Sequence, residues 1–267
     1  MIFPDFQDPS RLVLIAGPCV IESEEHVHRM AGAISAIASE YGFTCVFKAS
    51  YDKANRSSLA GFRGPGLTEG LRILKGIRDR GFSVLTDIHE TSHVGPAAEV
   101  VDILQIPAFL CRQTDLLLEA GRSGRIVNIK KGQFVAPNDI RHAADKVAST
   151  GNNQIVLTER GSSFGYNNLV VDMRSLRIMA ETGHPVVFDA THSVQLPGAG
   201  GTASGGQPQF IEPLAAAAVA VGVSGIFVEV HDCPEKALSD GANALRLDLL
   251  PKFLKRLKAI NDAQLAV

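Results

Sequence analysis

The segment LVLIAGPC, residues 12–19, is a short apolar run that ends in glycine, proline and cysteine. Seven more apolar, partly β-branched runs follow it, and this composition is typical of buried strands. The eight predicted strands are residues 12–16, 44–48, 83–87, 101–106, 125–130, 154–158, 185–189 and 225–229. Longer amphipathic segments separate them and predict helices, among them 24–41, 67–80, 138–149, 173–182, 208–221 and 244–260. Glycines 42, 81, 151 and 183 follow four of these segments and favour a left-handed helix cap.

Strands that are apolar throughout and alternate with helices indicate a parallel sheet that is covered on its outer face. Eight such units favour a closed (β/α)8 TIM barrel of the α/β class over an open sheet. A doubly wound sheet is the alternative, but Gly17-Pro18-Cys19 lacks the glycine spacing of a dinucleotide-binding turn. In a barrel, the C-terminal ends of the strands meet at one mouth, so polar residues there are the candidates for chemistry.

Length and composition predict a single catalytic domain over residues 1–267, because 267 residues with 45% hydrophobic content suit one barrel. The net charge of -2 gives no global positive field for nucleic acid or an anionic membrane. The four cysteines are scattered without a C-x-x-C pair, so we expect thiols rather than a disulfide framework. Residues 1–10 lack the pattern of a signal peptide, and a cytoplasmic location is expected.

Four residues with metal-binding side chains lie near the ends of the first and last two strands. They are Cys19, His192, Glu229 and Asp240. Neighbouring strand ends bring such groups around one ion. Because sulfur and nitrogen are softer donors than oxygen, the set predicts a divalent metal such as Zn, Fe(II), Mn or Co rather than calcium or magnesium.

Each of these residues also has an ordinary structural explanation, since a cysteine beside proline is usually a small buried residue and a lone histidine usually a hydrogen-bonded one. His231, Asp232 and Cys233 form a competing set close to Glu229. Spacing alone leaves the choice between Asp232 and Asp240 open.

Basic residues follow the predicted strands and indicate a site for a multiply charged anion. They are Lys48, Lys53, Arg63, Lys130, Lys131 and Arg160, with Asp87, His89 and Gln105 as polar neighbours. The run 53–58, KANRSS, suits a second phosphate through Asn55, Arg56 and Ser57, or equally a helix-capping loop. Residues 198–206 include five glycines and predict a flap beside His192.

At the level of motifs, the chain resembles the 3-deoxy-D-manno-octulosonate 8-phosphate synthase family over nearly its whole length. The motifs are IAGPC at 15–19, FKAS at 47–50, KANRSS at 53–58, RGPGL at 63–67, QIPAF at 105–109, RQTD at 112–115, FGYNNL at 164–169 and FDATH at 188–192. The resemblance implies condensation of phosphoenolpyruvate with D-arabinose 5-phosphate and water, which yields 3-deoxy-D-manno-octulosonate 8-phosphate and phosphate for lipopolysaccharide precursors. It also implies a homotetramer, in which Arg56 and Ser57 reach a neighbouring subunit.

The resemblance assigns roles residue by residue. Lys48, Lys53, Ala108, Lys131 and Arg160 match phosphoenolpyruvate contacts, and Asn55, Arg56 and Ser57 match contacts to the arabinose phosphate. Gln105 joins the expected substrate-binding set, while Lys53, Asp87, His192 and Asp240 are the expected catalytic residues. Cysteine after Gly-Pro marks the metal-requiring members, so Cys19, His192, Glu229 and Asp240 are the implied ligands. The segment 197–201 differs from the flap of metal-independent members.

The hypothesis for the reaction is attack of C3 of phosphoenolpyruvate on the aldehyde while water adds to C2, followed by loss of phosphate through C–O cleavage. Three alternatives accompany it. A related synthase uses erythrose 4-phosphate, but that enzyme tends to have Pro-Arg-Thr where residues 54–56 are Ala-Asn-Arg. A Schiff-base aldolase would use Lys48 or Lys131 as nucleophile. A non-catalytic sugar-phosphate sensor would need only the anion pocket.

Overall fold

Eight parallel strands close into a barrel in the computed structural model, which describes residues 2–55, 61–200 and 203–266, without the side chains of 199, 200, 203 and 204. The barrel strands, β1–β8, are Val13–Gly17, Thr44–Lys48, Ser83–Asp87, Ile103–Ile106, Ile126–Lys130, Ile155–Glu159, Val186–Asp189 and Gly225–His231. Closure comes from β1, where Val13 is paired with Thr44 of β2 and with Gly225 of β8. The predicted (β/α)8 barrel is therefore confirmed, and each strand ends within two residues of its predicted bounds.

Nine α-helices occur in the described part of the chain, besides short 3-10 turns. They are α1 Phe3–Gln7, α2 Glu24–Glu40, α3 Leu67–Asp79, α4 Thr91–Val100, α5 Thr114–Arg122, α6 Arg141–Ala148, α7 Arg174–Ala180, α8 Ile211–Val221 and α9 Leu250–Leu265. The predicted start of the last helix at residue 244 was wrong. Leu245–Arg246 instead adds a short parallel strand to β8, and α9 begins only at Leu250, with proline in its first turn. The four glycines predicted as caps all have positive φ.

Alternation along the strands divides the core into two layers. Leu14 and Ala16 pack outward against the helices, whereas Val13 and Ile15 point into the barrel. Each of the other strands also contributes an apolar side chain to the interior, and these are Val46, Leu85, Ile103, Ile126, Val156, Val187 and Phe227. Helix α1 closes the N-terminal end of the barrel, because Phe6 packs against this interior cluster. Access to the interior is therefore from the C-terminal end.

Two short hairpins lie at the C-terminal mouth. Gln195–Gly200 pairs with Ala203–Gly206, and Ser162–Ser163 pairs with Leu169–Val170. The predicted glycine-rich flap overlaps this first hairpin, except at residues 201 and 202, which lie outside the described residues. The Asn167 side-chain amide donates to the Pro197 carbonyl oxygen over 2.5 Å. The two hairpins are thus joined beside β7. Within the described residues, no helix is both long enough and apolar enough to cross a membrane.

Candidate active site

A cavity opens at the C-terminal mouth of the barrel and is rich in charged side chains. Of the residues predicted to act in binding or catalysis, Lys48, Lys53, Asn55, Asp87, Gln105, Ala108, Arg160, His192 and Asp240 line it. His89, Lys130, Gln133, Gln195, Pro197 and Gly198 also contribute to the lining. Four cationic groups against two carboxylates suit a polyanionic ligand. Arg56 and Ser57 lie outside the described residues, whereas Arg63 is exposed and its Nε donates to Asp52 over 2.8 Å.

These side chains point inward because successive residues of a strand face opposite sides of the sheet. Ile126, Asn128 and Lys130 are alternate residues of β5, so all three point into the barrel, while Val127 and Ile129 face the helices. The same rule brings Asp189 of β7 and Glu229 of β8 to the mouth, two residues beyond Val187 and Phe227. The polar layer therefore lies directly above the apolar interior.

Three of the four predicted metal ligands meet at one point. A ligand atom from each of Cys19, Glu229 and Asp240 lies within 4.8 Å of the other two. The Cys19 thiol donates to Asp240 Oδ2 over 3.1 Å, and its sulfur lies 2.8 Å from Ser239 Oγ. Burial, with the nearby carboxylates of Asp240 and Glu229, raises the pKa of Cys19, so the thiol keeps its proton in the absence of a cation.

His192 lies beside this group rather than within it. Its Nε2 is 3.7 Å from Glu229 Oε1, while its Nδ1 is 2.7 Å from Asp189 Oδ2. Glu229 Oε1 accepts from Lys48 Nζ over 2.9 Å, whereas Glu229 Oε2 is buried with no hydrogen-bond partner among the described residues. A buried carboxylate oxygen without a donor is an ordinary position for a metal contact.

Asp232 and His231, two residues of the competing set, contact other side chains. Asp232 accepts from Arg29 Nη2 over 2.7 Å and lies 3.0 Å from His26 Nε2. His231 belongs to a separate group with Glu22 and His26. The structure therefore brings Asp240, and not Asp232, to Cys19.

The two consecutive lysines at the end of β5 point in different directions. Lys130 Nζ lies in the cavity lining, contacts Asp189 and stands 3.5 Å above the Phe227 ring. Lys131 is fully buried away from the cavity, and its Nζ donates to the carbonyl oxygens of Gly132 and Val135 at 3.3 and 3.2 Å. The structure therefore brings Lys130, and not Lys131, to the cavity.

Arg160 and Lys53 flank the cavity from opposite sides. The Arg160 Nη2 donates to the His192 carbonyl oxygen at 3.1 Å and to Gln195 at 3.0 Å, while its buried Nε has no partner among the described residues. Lys53 Nζ lies 3.9 Å from Asp87 Oδ2. Burial alone would lower the pKa of Lys53, but the surrounding carboxylates, Asp87 first among them, raise it. Lys53 therefore stays charged.

A chain of hydrogen bonds joins side chains of β3, β4, β5 and β6 at the mouth. Gln105 Nε2 donates to Asp87 Oδ1 over 2.5 Å, Asn128 donates to Gln105 Oε1 over 2.8 Å, and Thr158 donates to Asn128 over 2.7 Å. Ser50 also donates to Asp87. Burial opposes ionisation of Asp87, yet the nearby Lys53 holds its pKa below the usual range. Asp87 and Gln105 are thus fixed in place by neighbours that sequence reasoning missed.

Comparison with known proteins identifies the family. The model of the DAHP synthetase I family matches residues 7–265 of the 267 in the chain. The chain belongs to the DAHP synthetase I family. It is 63% identical to the 2-dehydro-3-deoxyphosphooctonate aldolase of Syntrophotalea carbinolica over 251 residues, which cover 94% of this chain and 91% of the relative. The proteins of that name from Citrifermentans bemidjiense and Geobacter sulfurreducens are 60% and 61% identical, with 94% and 92% coverage.

Within the DAHP synthetase I family, these relatives bear the name of the 3-deoxy-D-manno-octulosonate 8-phosphate synthases that the motifs resemble. The resemblance drawn from the sequence is therefore confirmed. Sequence reasoning missed Asn128, Asp189 and Ser239. For Asp189 a signal existed, because it precedes His192 by three residues in the motif FDATH and ends a predicted strand.

Proposed function

We propose that this chain condenses phosphoenolpyruvate with D-arabinose 5-phosphate and water to give 3-deoxy-D-manno-octulosonate 8-phosphate and phosphate. The relatives' shared name supports this reaction. The observation that carries the proposal is a single cavity in which Lys53, Lys130 and Arg160 stand next to the group of Cys19 and Asp240. Such a cavity holds an enol phosphate against a second, polarised substrate.

Phosphoenolpyruvate carries a phosphate and a carboxylate, and the cavity offers separate cations for each. We assign one anionic group to Arg160 and Lys130 and the other to Lys53, with the backbone at Ala108 and the Gln105 side chain completing the pocket. A guanidinium binds two oxygens at once, and an ammonium supplies a compact charge. Lys131 has no place in this assignment, because its Nζ is engaged by backbone oxygens outside the cavity.

A divalent cation fits the residues at the edge of this cavity. The thiol of Cys19, the unpartnered Glu229 Oε2 and the Asp240 carboxylate supply sulfur and oxygen donors, and His192 Nε2 is the nearest nitrogen. This donor set suits Zn, Fe(II), Mn or Co. Such a cation, when bound, polarises a carbonyl or lowers the pKa of a coordinated water toward neutrality.

The chain's own residues position the reactants and stabilise charge. Attack of phosphoenolpyruvate C3 on the aldehyde carbon forms the new C–C bond, and water adds to C2. The C2–O bond then breaks, and the phosphate keeps the electron pair. Arg160 and Lys130 stabilise that phosphate, while Lys53 and Asp87, 3.9 Å apart, form a proton-handling pair beside the sugar. Holding both substrates in line contributes up to about 7–11 kcal/mol in favourable systems.

The arabinose phosphate is assigned to the outer part of the cavity. Asn55 lies in the lining there, and the assignment extends to Arg56 and Ser57, which lie outside the described residues. We propose further that residues 1–267 act as one catalytic domain, that the chain forms a homotetramer and that it works in the cytoplasm. No disulfide joins its four cysteines, all of which are described.

One assay tests the proposed reaction. Purified protein is incubated with phosphoenolpyruvate and arabinose 5-phosphate, and released phosphate is measured with and without a chelator. We expect release only with the pentose phosphate, its loss after chelation and recovery with added Zn, Mn or Co salts. Erythrose 4-phosphate is the matched control substrate. Faster release with erythrose 4-phosphate would assign the related aromatic-pathway reaction instead, and release from neither sugar would contradict an enzymatic role.

A Schiff-base mechanism is disfavoured by the contacts of its two candidate lysines. Lys48 Nζ donates to Glu229 over 2.9 Å and to the Cys19 carbonyl oxygen over 2.8 Å, and Lys131 is fully buried with oxygen acceptors around it. A nucleophilic amine must instead be neutral and reach the substrate carbonyl. Borohydride treatment with arabinose 5-phosphate should leave no reduced adduct on the protein.

A further inference from the structure

Asp189 is the most fully bonded carboxylate at the mouth. It ends β7 and is fully buried. Its Oδ1 accepts the backbone N–H of His192 over 2.8 Å, and the N–H and hydroxyl of Thr191 each over 3.2 Å. These three donors fix the plane of the carboxylate and leave Oδ2 facing the cavity side.

The second oxygen serves two cavity residues. Asp189 Oδ2 lies 2.7 Å from His192 Nδ1 and also accepts from Lys130 Nζ. A carboxylate oxygen and an imidazole lone pair at 2.7 Å would repel each other, so Nδ1 carries the proton. Lys130 Nζ is farther from Nδ1, at 3.4 Å, and does not act as its donor. In the neutral imidazole, Nε2 is then the unprotonated nitrogen, and it lies on the Glu229 side of the ring, 3.7 Å from Oε1.

We propose that Asp189 is a positioning residue with two roles. It fixes His192 as the Nδ1–H tautomer, so that the Nε2 lone pair is directed at the cation site. It also holds Lys130 at the cavity. The part concerning the cation rests on the proposed function. A carboxylate that accepts from the far nitrogen of a metal-binding histidine sets its tautomer and raises its basicity. Here the same carboxylate also orients a lysine assigned to the anion.

The carboxylate reaches a second ligand through Thr191. The Thr191 hydroxyl donates to Asp189 Oδ1 and accepts the backbone N–H of Glu229 over 3.1 Å. Asp189 therefore braces β7 against β8 at the level where His192 and Glu229 face each other. Asp189 thus acts on His192 directly and on Glu229 through Thr191.

Asp189→Asn tests the proposal because it changes the hydrogen-bond character of one atom. The three donors on Oδ1 keep the amide oxygen on their side, so the amide NH2 faces His192 Nδ1. Nδ1 must then accept, and the proton moves to Nε2. Asp232→Asn is the matched control, since Asp232 also faces a histidine, His26, at 3.0 Å but lies outside the candidate site.

Two readouts are taken. ¹⁵N–¹H correlation spectra of the imidazoles in metal-free protein, with His192→Gln to assign the resonances, report the tautomer. Co(II) titration reports affinity at the proposed cation site. We expect His192 as Nδ1–H in the wild type and in Asp232→Asn and as Nε2–H in Asp189→Asn, with about 10- to 100-fold weaker Co(II) binding in the last.

The outcomes separate the inference from the function on which it rests. An Nε2–H tautomer in the metal-free wild type would overturn the inference, and this holds even if Asp189→Asn fails to fold. An unchanged tautomer, or Co(II) affinity within twofold of wild type, in folded Asp189→Asn would overturn it as well. Absence of Co(II) binding by the wild type would instead refute the proposed cation site, while the tautomer remains measurable.

Discussion

The Cys19 thiol donates to Asp240 Oδ2 over 3.1 Å, although the two residues are 221 positions apart in the chain. The contact joins the turn after the first barrel strand to the loop after the last. It exists because β1 pairs with β8, with Gly17 opposite Glu229 in register. Barrel closure and assembly of the candidate cation site are therefore the same event, and changes that loosen the β1 end should affect both.

Gly17→Ala tests that coupling. A Cβ at residue 17 would lie 1.9 Å from the backbone carbonyl oxygen of Lys48, a contact that requires the β1–β2 pair to shift. Overpacking of this kind typically costs about 1–3 kcal/mol of unfolding free energy. Urea unfolding followed by circular dichroism measures the change, and Co(II) affinity should fall with it.

The control for that variant is Gly32→Ala. Gly32 lies within α2, and a Cβ there would meet only the Arg80 side chain, at an ordinary contact distance of 3.8 Å. Alanine is the better helix former, so the free energy of unfolding should rise by roughly 0.4–1 kcal/mol. Equal stability of the two variants would contradict the close approach at Gly17.

Exchanging each of the consecutive lysines for methionine should show which of them binds phosphoenolpyruvate. Lys130→Met removes a cavity cation, and loss of a hydrogen bond to a charged group, about 1.5–3 kcal/mol, should raise the KM for phosphoenolpyruvate roughly 10- to 100-fold. Lys131→Met strips donors from the Gly132 and Val135 carbonyl oxygens and leaves Glu159, 3.5 Å away, without that cation. Its unfolding free energy should fall by about 3–5 kcal/mol.

Steady-state kinetics and urea unfolding of both variants decide the assignment. The KM for phosphoenolpyruvate of Lys131→Met should stay within twofold of wild type. A large rise in KM for Lys131→Met with none for Lys130→Met would show that Lys131, and not Lys130, binds the anion.

These lysines show where sequence reasoning succeeded and where it stopped. Apolar runs of five or six residues predicted every barrel strand, because parallel strands buried on both faces are apolar almost throughout. Choosing between Lys130 and Lys131 requires knowing which residues of β5 face the barrel interior. Ile126 faces the interior, so Asn128 and Lys130 share its face and Lys131 lies beyond the strand end. That alternation was present in the sequence, but the direction of a side chain after a strand ends depends on the loop.

The sequence also did not show which residues contact each other when they lie far apart in the chain. Ser239 carries no motif that indicates its contacts, and only the closed barrel brings it within 2.8 Å of Cys19. For Asp189, the motif FDATH pointed to His192 but not to Lys130, which lies 59 positions away in the chain. Asp240 could not be preferred to Asp232 by spacing, because both follow β8 closely. The difference arises from the loop, which keeps Asp232 near helix α2 while Asp240 returns to the mouth.

His89 should make stability depend on pH. Its burial lowers its pKa below the usual 6.5, since desolvation penalises the imidazolium. The unfolded chain therefore binds a proton at a pH where the native state does not, and the free energy of unfolding falls as pH drops below about 6.5 toward the lower native pKa. His89→Gln removes this contribution.

The comparison is made by urea unfolding of wild type and His89→Gln at several pH values between 5 and 7.5. The difference in unfolding free energy between the two proteins should shift in favour of the variant as pH falls. A difference that stays constant over this range would show that the native and unfolded pKa values of His89 are equal.

The proposed function depends most on a cation held by Cys19 together with Glu229, Asp240 and His192. Titration of the metal-free protein with Co(II) tests it directly, because thiolate coordination gives a charge-transfer absorption that oxygen and nitrogen ligands do not. We predict one equivalent bound with this absorption in the wild type, and its loss in Cys19→Ala together with phosphate release from phosphoenolpyruvate. Co(II) binding without the thiolate absorption, or the same absorption in Cys19→Ala, would contradict the account.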